Sequence, residues 1–260
     1  MNDRYIGVFD SGLGGLTVVK AIKEAMPLEN IVFFADAEHM PYGDKTAEEI
    51  IGYSRHNANL LKEYDPKVLA IACNTSDSLA RKEVEKLCDM PVIGVIRAAC
   101  EEAVRQTVNK KIAVLATRAT TLSEAYPQMV HELDPVIRMI AVPCPELVPL
   151  IEAGRFMEKD KALRNCLKKY LDEALQDHAD TLILGCTHYD LLYEMIHEMQ
   201  PELKIVSSSQ TIVKALQAIL RETDQFSEHK RDDIYLTSKT SDELDRIAAM
   251  IIPEIRFQKK

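Results

Sequence analysis

Short apolar runs recur along the chain, separated by longer stretches in which apolar residues follow a helical period. The runs VLAIAC at 68–73 and TLILGC at 181–186 show no alternation between polar and apolar positions. A strand of this kind has both faces covered, as in a parallel sheet packed between helices. The pattern therefore predicts an α/β fold. The predicted strands are Tyr5–Asp10, Asn30–Asp36, Val68–Cys73, Val92–Ile96, Lys111–Thr117, Ile137–Pro143, Thr181–Cys186, Lys204–Ser207 and Ile234–Thr237.

The segments between these strands show the apolar periodicity of helices. The stretch TAEE at 46–49 has the form of a capping box, in which Thr46 and Glu49 bond each other's backbone N–H groups, so a helix is expected to begin there. The predicted helices include Leu16–Met26, Thr46–Tyr64, Ser76–Cys88, Asp160–Leu175 and Tyr189–Met199.

Two segments of the chain resemble each other. LAIACNTSDSL at 69–79 and LILGCTHYDLL at 182–192 both read as an apolar strand, a small residue, a cysteine, a nearby threonine and then a helix. Their separation is too long for a solenoid repeat and suits two related lobes. The segment after about residue 208 is expected to fold back onto the first lobe.

Polar side chains follow the predicted strands at the points where the strands end. In open α/β sheets the ligand binds beyond the carboxyl ends of the strands, so these side chains are candidate site residues. They are Asp10 with Ser11, Asp36, Cys73 with Asn74 and Thr75, Thr117 with Thr120 nearby, and Cys186 with Thr187 and His188.

Composition and charge narrow the class of protein. The chain has 260 residues, 47% of them hydrophobic and 28% charged, as in globular proteins. A net charge of −9 argues against non-specific binding of nucleic acid, which needs clustered lysine and arginine. No apolar run reaches the length of a membrane span, and the charged start MNDRYIGVFD does not read as a secretory signal. We therefore expect a cytoplasmic protein that contacts neither a membrane nor nucleic acid.

The cysteines fall into two groups. None forms a C-x-x-C pair, so a zinc or other metal site is not predicted and free thiols are expected. A lone cysteine at a strand end is usually a packed hydrophobic residue. Cys73 and Cys186 differ because they occupy matching contexts, each before a predicted helix whose positive end would favour the thiolate. The packed interpretation is kept for Cys88, Cys100, Cys144 and Cys166.

Two facing thiols suit two kinds of chemistry. One is a disulfide switch. The other is inversion of a stereocentre, in which one thiolate removes a proton from one face of a carbon and a thiol delivers a proton to the other. Asp10 and His188 would tune such thiols, although either residue could instead serve as a helix cap or packed group.

The glycine-rich stretch FDSGLGGL at 9–16 raises a different possibility. Its backbone N–H groups lie at a helix start and could hold an anion. A dinucleotide fingerprint would need glycine at Thr17, although Asp36 falls about where an acid would bind a ribose. A nicotinamide-dependent oxidoreductase and a non-catalytic binding protein for an acidic amino acid therefore remain alternatives.

Six motifs resemble those of the glutamate racemases, which are cofactor-independent enzymes of the aspartate/glutamate racemase superfamily. The resemblance implies interconversion of L- and D-glutamate for peptidoglycan synthesis, with Cys73 and Cys186 as the two acid–base groups. It also implies that Asp10, His188 and Glu152 assist them. The motifs, spread over about residues 6–190, are GVFDSGLGGLTV, MPYGDKT, ACNTS, LATRATTLSEAYP, CPELVPLIEAG and LGCTHYDLL.

The same resemblance implies an architecture and a set of substrate contacts. The fold would have two pseudo-symmetric α/β lobes, 1–97 plus 208–260 and 98–207, with the active site in the cleft between them and a homodimer as the assembly. No cofactor would be needed. The implied substrate contacts are Asp10, Ser11, Pro41, Tyr42, Gly43, Cys73, Asn74, Thr75, Thr120, Cys186, Thr187 and His188.

The chain departs from the family pattern at several positions. Arg97-Ala98 stands where the family usually has Glu-Pro, and VSSSQ at 206–210 lacks a usual acid. Asp77 replaces a small residue, Asp190 replaces a proline, and Asp36 is followed by alanine rather than serine. None of these departures removes a proposed catalytic group, so the expected reaction is unchanged.

Overall fold

The computed structural model describes residues 3–157 and 160–260, and within them ten strands form two parallel sheets. The strands are β1 (Tyr5–Asp10), β2 (Asn30–Ala35), β3 (Val68–Ile71), β4 (Val92–Gly94), β5 (Lys111–Ala116), β6 (Arg138–Pro143), β7 (Thr181–Gly185), β8 (Lys204–Ser207), β9 (Ile234–Thr237) and β10 (Gln258–Lys259). The strand order is β10-β9-β2-β1-β3-β4 in the first sheet and β6-β5-β7-β8 in the second.

Helices cover the faces of both sheets. Three short 3₁₀ turns, at Leu13–Gly15, Tyr42–Asp44 and Thr187–Leu192, interrupt the connections. No helix among the described residues is long and apolar enough to cross a membrane. The helices are α1 (Leu16–Ala25), α2 (Ala47–Lys62), α3 (Asn74–Glu85), α4 (Val95–Gln106), α5 (Arg118–Leu122), α6 (Ala125–Leu133), α7 (Leu147–Glu152), α8 (Lys161–Ala174), α9 (Tyr193–Met199), α10 (Ser208–Glu222) and α11 (Asp242–Ile251).

The predicted α/β class is confirmed, because all pairings in both sheets are parallel and the central strands are buried along their whole length. Every predicted strand is present, and six of them are shifted at one end. Three have the predicted bounds, namely Tyr5–Asp10, Lys204–Ser207 and Ile234–Thr237. The predicted capping box is also confirmed, since the Glu49 N–H donates to Thr46 Oγ1 and the Thr46 N–H donates to Glu49 Oε2.

Several predicted boundaries were wrong, and three of them lie beside junctions between a strand and a helix. The strand predicted to run to Ile96 ends at Gly94, where α4 begins at once. The helix predicted from Ser76 begins at Asn74 with Cys73 as its cap. The helix predicted from Tyr189 is a 3₁₀ turn as far as Leu192. At Gly94 and at Leu192 apolar residues continue across the junction, so the pattern does not mark where the backbone changes. At the start of α3 the helix already includes the polar residues Asn74 and Thr75, because Cys73 provides its cap.

The chain passes between the two sheets twice. Helix α4 carries it from β4 to β5, and α10 carries it back from β8 to β9. The two helices pack against each other, and α10 also packs on α1. The strands of the first sheet thus fall within residues 1–97 and 208–260, and those of the second within 98–207. The domain boundaries themselves stay a prediction.

A buried carboxylate holds the N-terminus of each crossing helix. Asp77 Oδ2 accepts the Ile96 N–H of α4 at 2.8 Å, and Asp190 Oδ2 accepts the Ser209 N–H of α10 at 2.9 Å. Burial raises the pKa of each carboxyl to about 6, against the opposing effect of these hydrogen bonds. A methyl group on Gly94 would collide with the Asp77 carboxylate, so only glycine lets Asp77 approach so closely. Asp77 and Asp190, which both depart from the family pattern, therefore cap the two crossing helices.

Removal of the charge at Asp77 is expected to change how stability depends on pH. The pKa of an aspartate is near 4 in the unfolded chain and about 6 here. The folded state therefore holds the proton more tightly, and this contribution to stability is lost as pH rises through about 6. Between about pH 4 and pH 8 the wild-type protein should lose up to about 3 kcal/mol relative to Asp77→Asn.

Urea unfolding of both proteins across that pH range measures the difference. Asp177→Asn, at an exposed aspartate, is the matched control and should follow the wild-type curve. Parallel curves for wild type and Asp77→Asn would contradict the prediction.

Candidate active site

A small cavity lies between the two sheets at the carboxyl ends of their strands. Cys73, after β3 of the first sheet, and Cys186, after β7 of the second, both line it, and both are free thiols. Twelve of the candidate residues predicted from the sequence line this one cavity. They are Ser11, Pro41, Tyr42, Gly43, Cys73, Asn74, Thr75, Thr117, Glu152, Cys186, Thr187 and His188.

Cys73 caps α3 and is almost fully buried. Its sulfur accepts the Ser76 N–H at 3.5 Å and lies 3.5 Å from Ser11 Oγ. Burial raises the pKa of the Cys73 thiol to about 11, and the negative charge of Asp10 adds to the effect, while the contacts with Ser11 and Ser76 oppose it. The prediction that the helix N-terminus favours a thiolate was therefore wrong for Cys73 in this state, because desolvation outweighs the helix.

Cys186 belongs to a chain of three polar side chains. Its sulfur lies 3.7 Å from His188 Nδ1, and His188 Nε2 lies 3.0 Å from Glu152 Oε1. Burial alone would lower the pKa of His188, but the hydrogen bonds with Cys186 and Glu152 raise it well above its usual value. The His188 ring therefore lies between a thiol and a carboxyl group, within reach of both, where it can pass or hold a proton beside the Cys186 sulfur.

Asp10 lies behind the cavity wall rather than on it. It is fully buried, and its carboxylate accepts the Gly12 N–H at 3.1 Å and the Thr187 hydroxyl at 3.3 Å. Burial raises the pKa of Asp10, while the nearby His188 and these hydrogen bonds oppose the rise. Since Thr187 lines the cavity, Asp10 reaches the interior through that hydroxyl.

Three threonine hydroxyls meet where the two sheets face each other. Thr75 Oγ1 lies 2.9 Å from Thr117 Oγ1 and 3.1 Å from Thr120 Oγ1, and the last two are 3.0 Å apart. Thr75 and Thr117 line the cavity, whereas Thr120 supports them from behind. Thr120 is thus placed to orient the other two hydroxyls.

The glycine-rich turn packs closely against the protein at Gly14. A methyl group on Gly14 would meet Thr187 Oγ1 and His188 Nδ1 at 2.3 and 2.5 Å. Asp36, the candidate ribose ligand, already accepts hydrogen bonds from Tyr42 at 2.5 Å and Ser238 at 2.9 Å. This arrangement does not favour a nicotinamide cofactor, and the interpretation of the turn as an anion cradle stays a prediction.

Sequence reasoning missed part of the wall. Met40 and Val148 line the cavity, and neither was predicted from the sequence. Both apolar residues lie inside motifs with family resemblance, MPYGDKT and CPELVPLIEAG, which is the signal that could have found them. An apolar side chain gives no chemical indication of its own. Arg97, by contrast, is exposed and pairs with Glu101 at 3.5 Å, away from this site.

The fold and the site define an α/β protein with two parallel sheets and a free thiol from each facing a common cavity. The chain also matches the model of the Asp/Glu/Hydantoin racemase family over residues 6–221. This protein therefore belongs to that family.

Individual members of the family match the whole chain. A glutamate racemase from Sulfurihydrogenibium sp. (strain YO3AOP1) is 38% identical over 255 residues, covering 98% of this chain and 96% of the relative. The crystal structure of a glutamate racemase isoform from Bacillus anthracis superposes with a TM-score of 0.94 at 30% identity, covering 100% of this chain and 97% of that one. That of a Francisella tularensis glutamate racemase in complex with D-glutamate gives 0.91 at 30% identity, with the same coverage.

Proposed function

We propose that this protein interconverts L- and D-glutamate by proton transfer between the substrate α-carbon and two thiols, without a cofactor. The observation that carries the proposal is that Cys73 and Cys186, free and from equivalent ends of two sheets, line one cavity. The relatives named as glutamate racemases supply the substrate. One thiolate would remove the α-proton, and the opposite thiol would protonate the other face of the carbon.

The two thiols would be activated differently. Cys186 has the imidazole of His188 beside it, with Glu152 behind, so a group that can take or supply a proton adjoins its sulfur. None of the described residues places a cation beside Cys73, and burial and Asp10 hold its pKa high. The ammonium group of a bound amino acid would supply the missing positive charge and lower the pKa of Cys73, so that this thiol ionises only when substrate is present.

The rest of the cavity suits an amino acid with two carboxylates. Ser11, Thr75, Thr117 and Thr187 offer hydroxyl groups, and Asn74 offers an amide. The N-terminus of α3 adds backbone N–H groups and the positive end of the helix at the same wall. These donors would hold the α-carboxylate and stabilise the negative charge that develops on it as the proton leaves.

We also propose the setting of this reaction. The product D-glutamate would supply peptidoglycan synthesis, and the enzyme would act in the cytoplasm as a homodimer. These statements follow from the resemblance to the glutamate racemases.

The direct test is incubation of the purified protein with L-glutamate in deuterated water, without added nicotinamide, pyridoxal phosphate or metal. D-Glutamate should form and should carry deuterium at the α-carbon, because the proton returned to the product comes from a solvent-exchanged thiol. Chiral chromatography and mass spectrometry measure both results. Binding of glutamate without any change of handedness would instead favour the non-catalytic binding protein, and product without deuterium would contradict proton transfer through exchangeable groups.

A further inference from the structure

Tyr126 makes a hydrogen bond that links the two sheets beside the cavity. It lies near the start of α6, which packs against β6 of the second sheet, and its side chain is fully buried. Its hydroxyl donates to Oδ1 of Asn74 at 2.5 Å. Asn74 is the first residue of α3, directly after Cys73, and follows β3 of the first sheet. A residue outside the cavity wall is thus bonded to one that forms the wall.

This bond determines which end of the Asn74 amide faces the cavity. An amide carries an acceptor oxygen on one side and two donor N–H groups on the other. With Oδ1 turned to Tyr126, Nδ2 is turned away from it. Nδ2 is buried and has no hydrogen-bond partner among the residues that the structure describes, and Asn74, only 2% exposed, lines the cavity. A buried donor without a partner is costly, and a ligand acceptor would satisfy it.

We propose that Tyr126 is a positioning residue that fixes the Asn74 amide with its N–H groups toward a carboxylate of the bound amino acid. This inference rests on the proposed function, since it takes glutamate as the ligand. A flipped amide would present its oxygen to the carboxylate, and the two negative oxygen atoms would repel each other. The tyrosine favours the observed orientation because its proton is donated to Oδ1. Burial raises the pKa of Tyr126 well above the usual value, so the proton that this bond needs stays on the hydroxyl.

The position of the bond also connects substrate binding to the packing of the two sheets. Tyr126 moves with the second sheet and Asn74 with the first. If the sheets separate, Asn74 loses the bond that orients it. The donor is therefore correctly oriented only when the cavity is assembled.

Replacement of Tyr126 by phenylalanine tests the role, since it removes the hydroxyl and keeps the ring. We expect KM for glutamate and its dissociation constant to rise about tenfold, as for loss of one hydrogen bond to a charged group, while kcat changes much less. Tyr170→Phe is the matched control. Tyr170 is another buried tyrosine, and its hydroxyl bonds Glu146 Oε1 at 3.2 Å outside the cavity, so its loss should leave KM unchanged.

A double-mutant cycle shows whether Tyr126 acts through Asn74. Asn74→Ala removes the donor, and Tyr126→Phe in that background should then have no further effect on KM or on glutamate binding measured by calorimetry. An unchanged KM for Tyr126→Phe, an equal effect with and without Asn74, or a lowered melting temperature with normal KM would each overturn the proposal. Failure of the proposed function is distinguishable, because it would appear as no racemisation by the unmodified protein, while the binding cycle still tests the contact.

Discussion

Cys73→Ser and Cys186→Ser are each expected to lower the rate of glutamate racemisation by about 10²–10⁴-fold, the usual contribution of a general acid or base. A serine hydroxyl keeps nearly the size of the thiol, but its proton is far too tightly held to ionise near neutrality. Both thiols line the same cavity, and a two-sided proton transfer uses both in each direction. Loss of either one should therefore stop conversion of both enantiomers.

Isotope exchange would separate the roles of the two thiols. Each single variant keeps one base, so it should exchange the α-hydrogen of only one enantiomer with deuterated water, and the two variants should exchange opposite enantiomers. Cys166→Ser is the matched control, because Cys166 lies on α8 beside Glu146 and outside the cavity. Racemisation that survives in either Cys73→Ser or Cys186→Ser at the wild-type rate would contradict the two-thiol mechanism.

Glu29→Gln is expected to produce the largest loss of stability, about 3–5 kcal/mol in the free energy of unfolding. Glu29 and Lys67 form an ion pair of 2.6 Å in which the side chains are 2% and 0% exposed. Burial lowers the pKa of Lys67, and the charge of Glu29 opposes this. Glutamine at position 29 would remove the charge that lies 2.6 Å from the buried ammonium.

The same pair anchors the return of the chain to the first sheet. Glu29 accepts the Ser227 N–H at 2.8 Å, and Lys67 donates to the Gln225 carbonyl at 2.7 Å, so residues between α10 and β9 are tied to the starts of β2 and β3. The Lys67 N–H donates to the Tyr5 carbonyl, at the end of the sheet opposite the cavity. Folded Glu29→Gln protein should therefore keep its racemisation rate.

Urea denaturation measures the loss of stability in Glu29→Gln, and two further variants show whether burial of the ion pair is its cause. Glu254→Gln breaks a pair with Lys23 in which the glutamate is 67% exposed, so its cost should stay below about 1 kcal/mol. The double variant Glu29→Gln/Lys67→Met also removes the buried ammonium of Lys67, so it should recover part of the lost stability. Equal effects of Glu29→Gln and Glu254→Gln would show that burial does not determine the strength of the pair.

The local pattern of residues was sufficient to predict the strands and helices and to single out two of the six cysteines. Unalternating apolar runs identify strands covered on both faces, and the structure contains each of them. Cys73 and Cys186 were singled out because their surroundings repeat, and the predicted family is confirmed. Element ends were less well predicted, because apolar residues continue across the junctions at Gly94 and Leu192.

Several structural roles depend on contacts between residues that are distant in sequence, and the sequence pattern did not predict them. Asp77 and Asp190 read only as departures from the family pattern, yet each caps a helix that crosses between the sheets. The role of Tyr126 depends on a bond to Asn74, in the other half of the fold. No window of sequence contains both partners of such a contact, so periodicity and motifs cannot report it.

The sequence by itself determined that strands with two buried faces alternate with helices and that two thiols end matching strands. These properties depend on the order of residues along short segments, which is why they could be predicted. The tertiary structure alone decided that both thiols share one cavity and that Asp10 lies behind Thr187. It also decided that burial raises the pKa of Cys73, whereas the helix N-terminus alone would lower it. Desolvation and hydrogen bonding depend on which distant groups surround an atom, and only the folded chain brings those groups together.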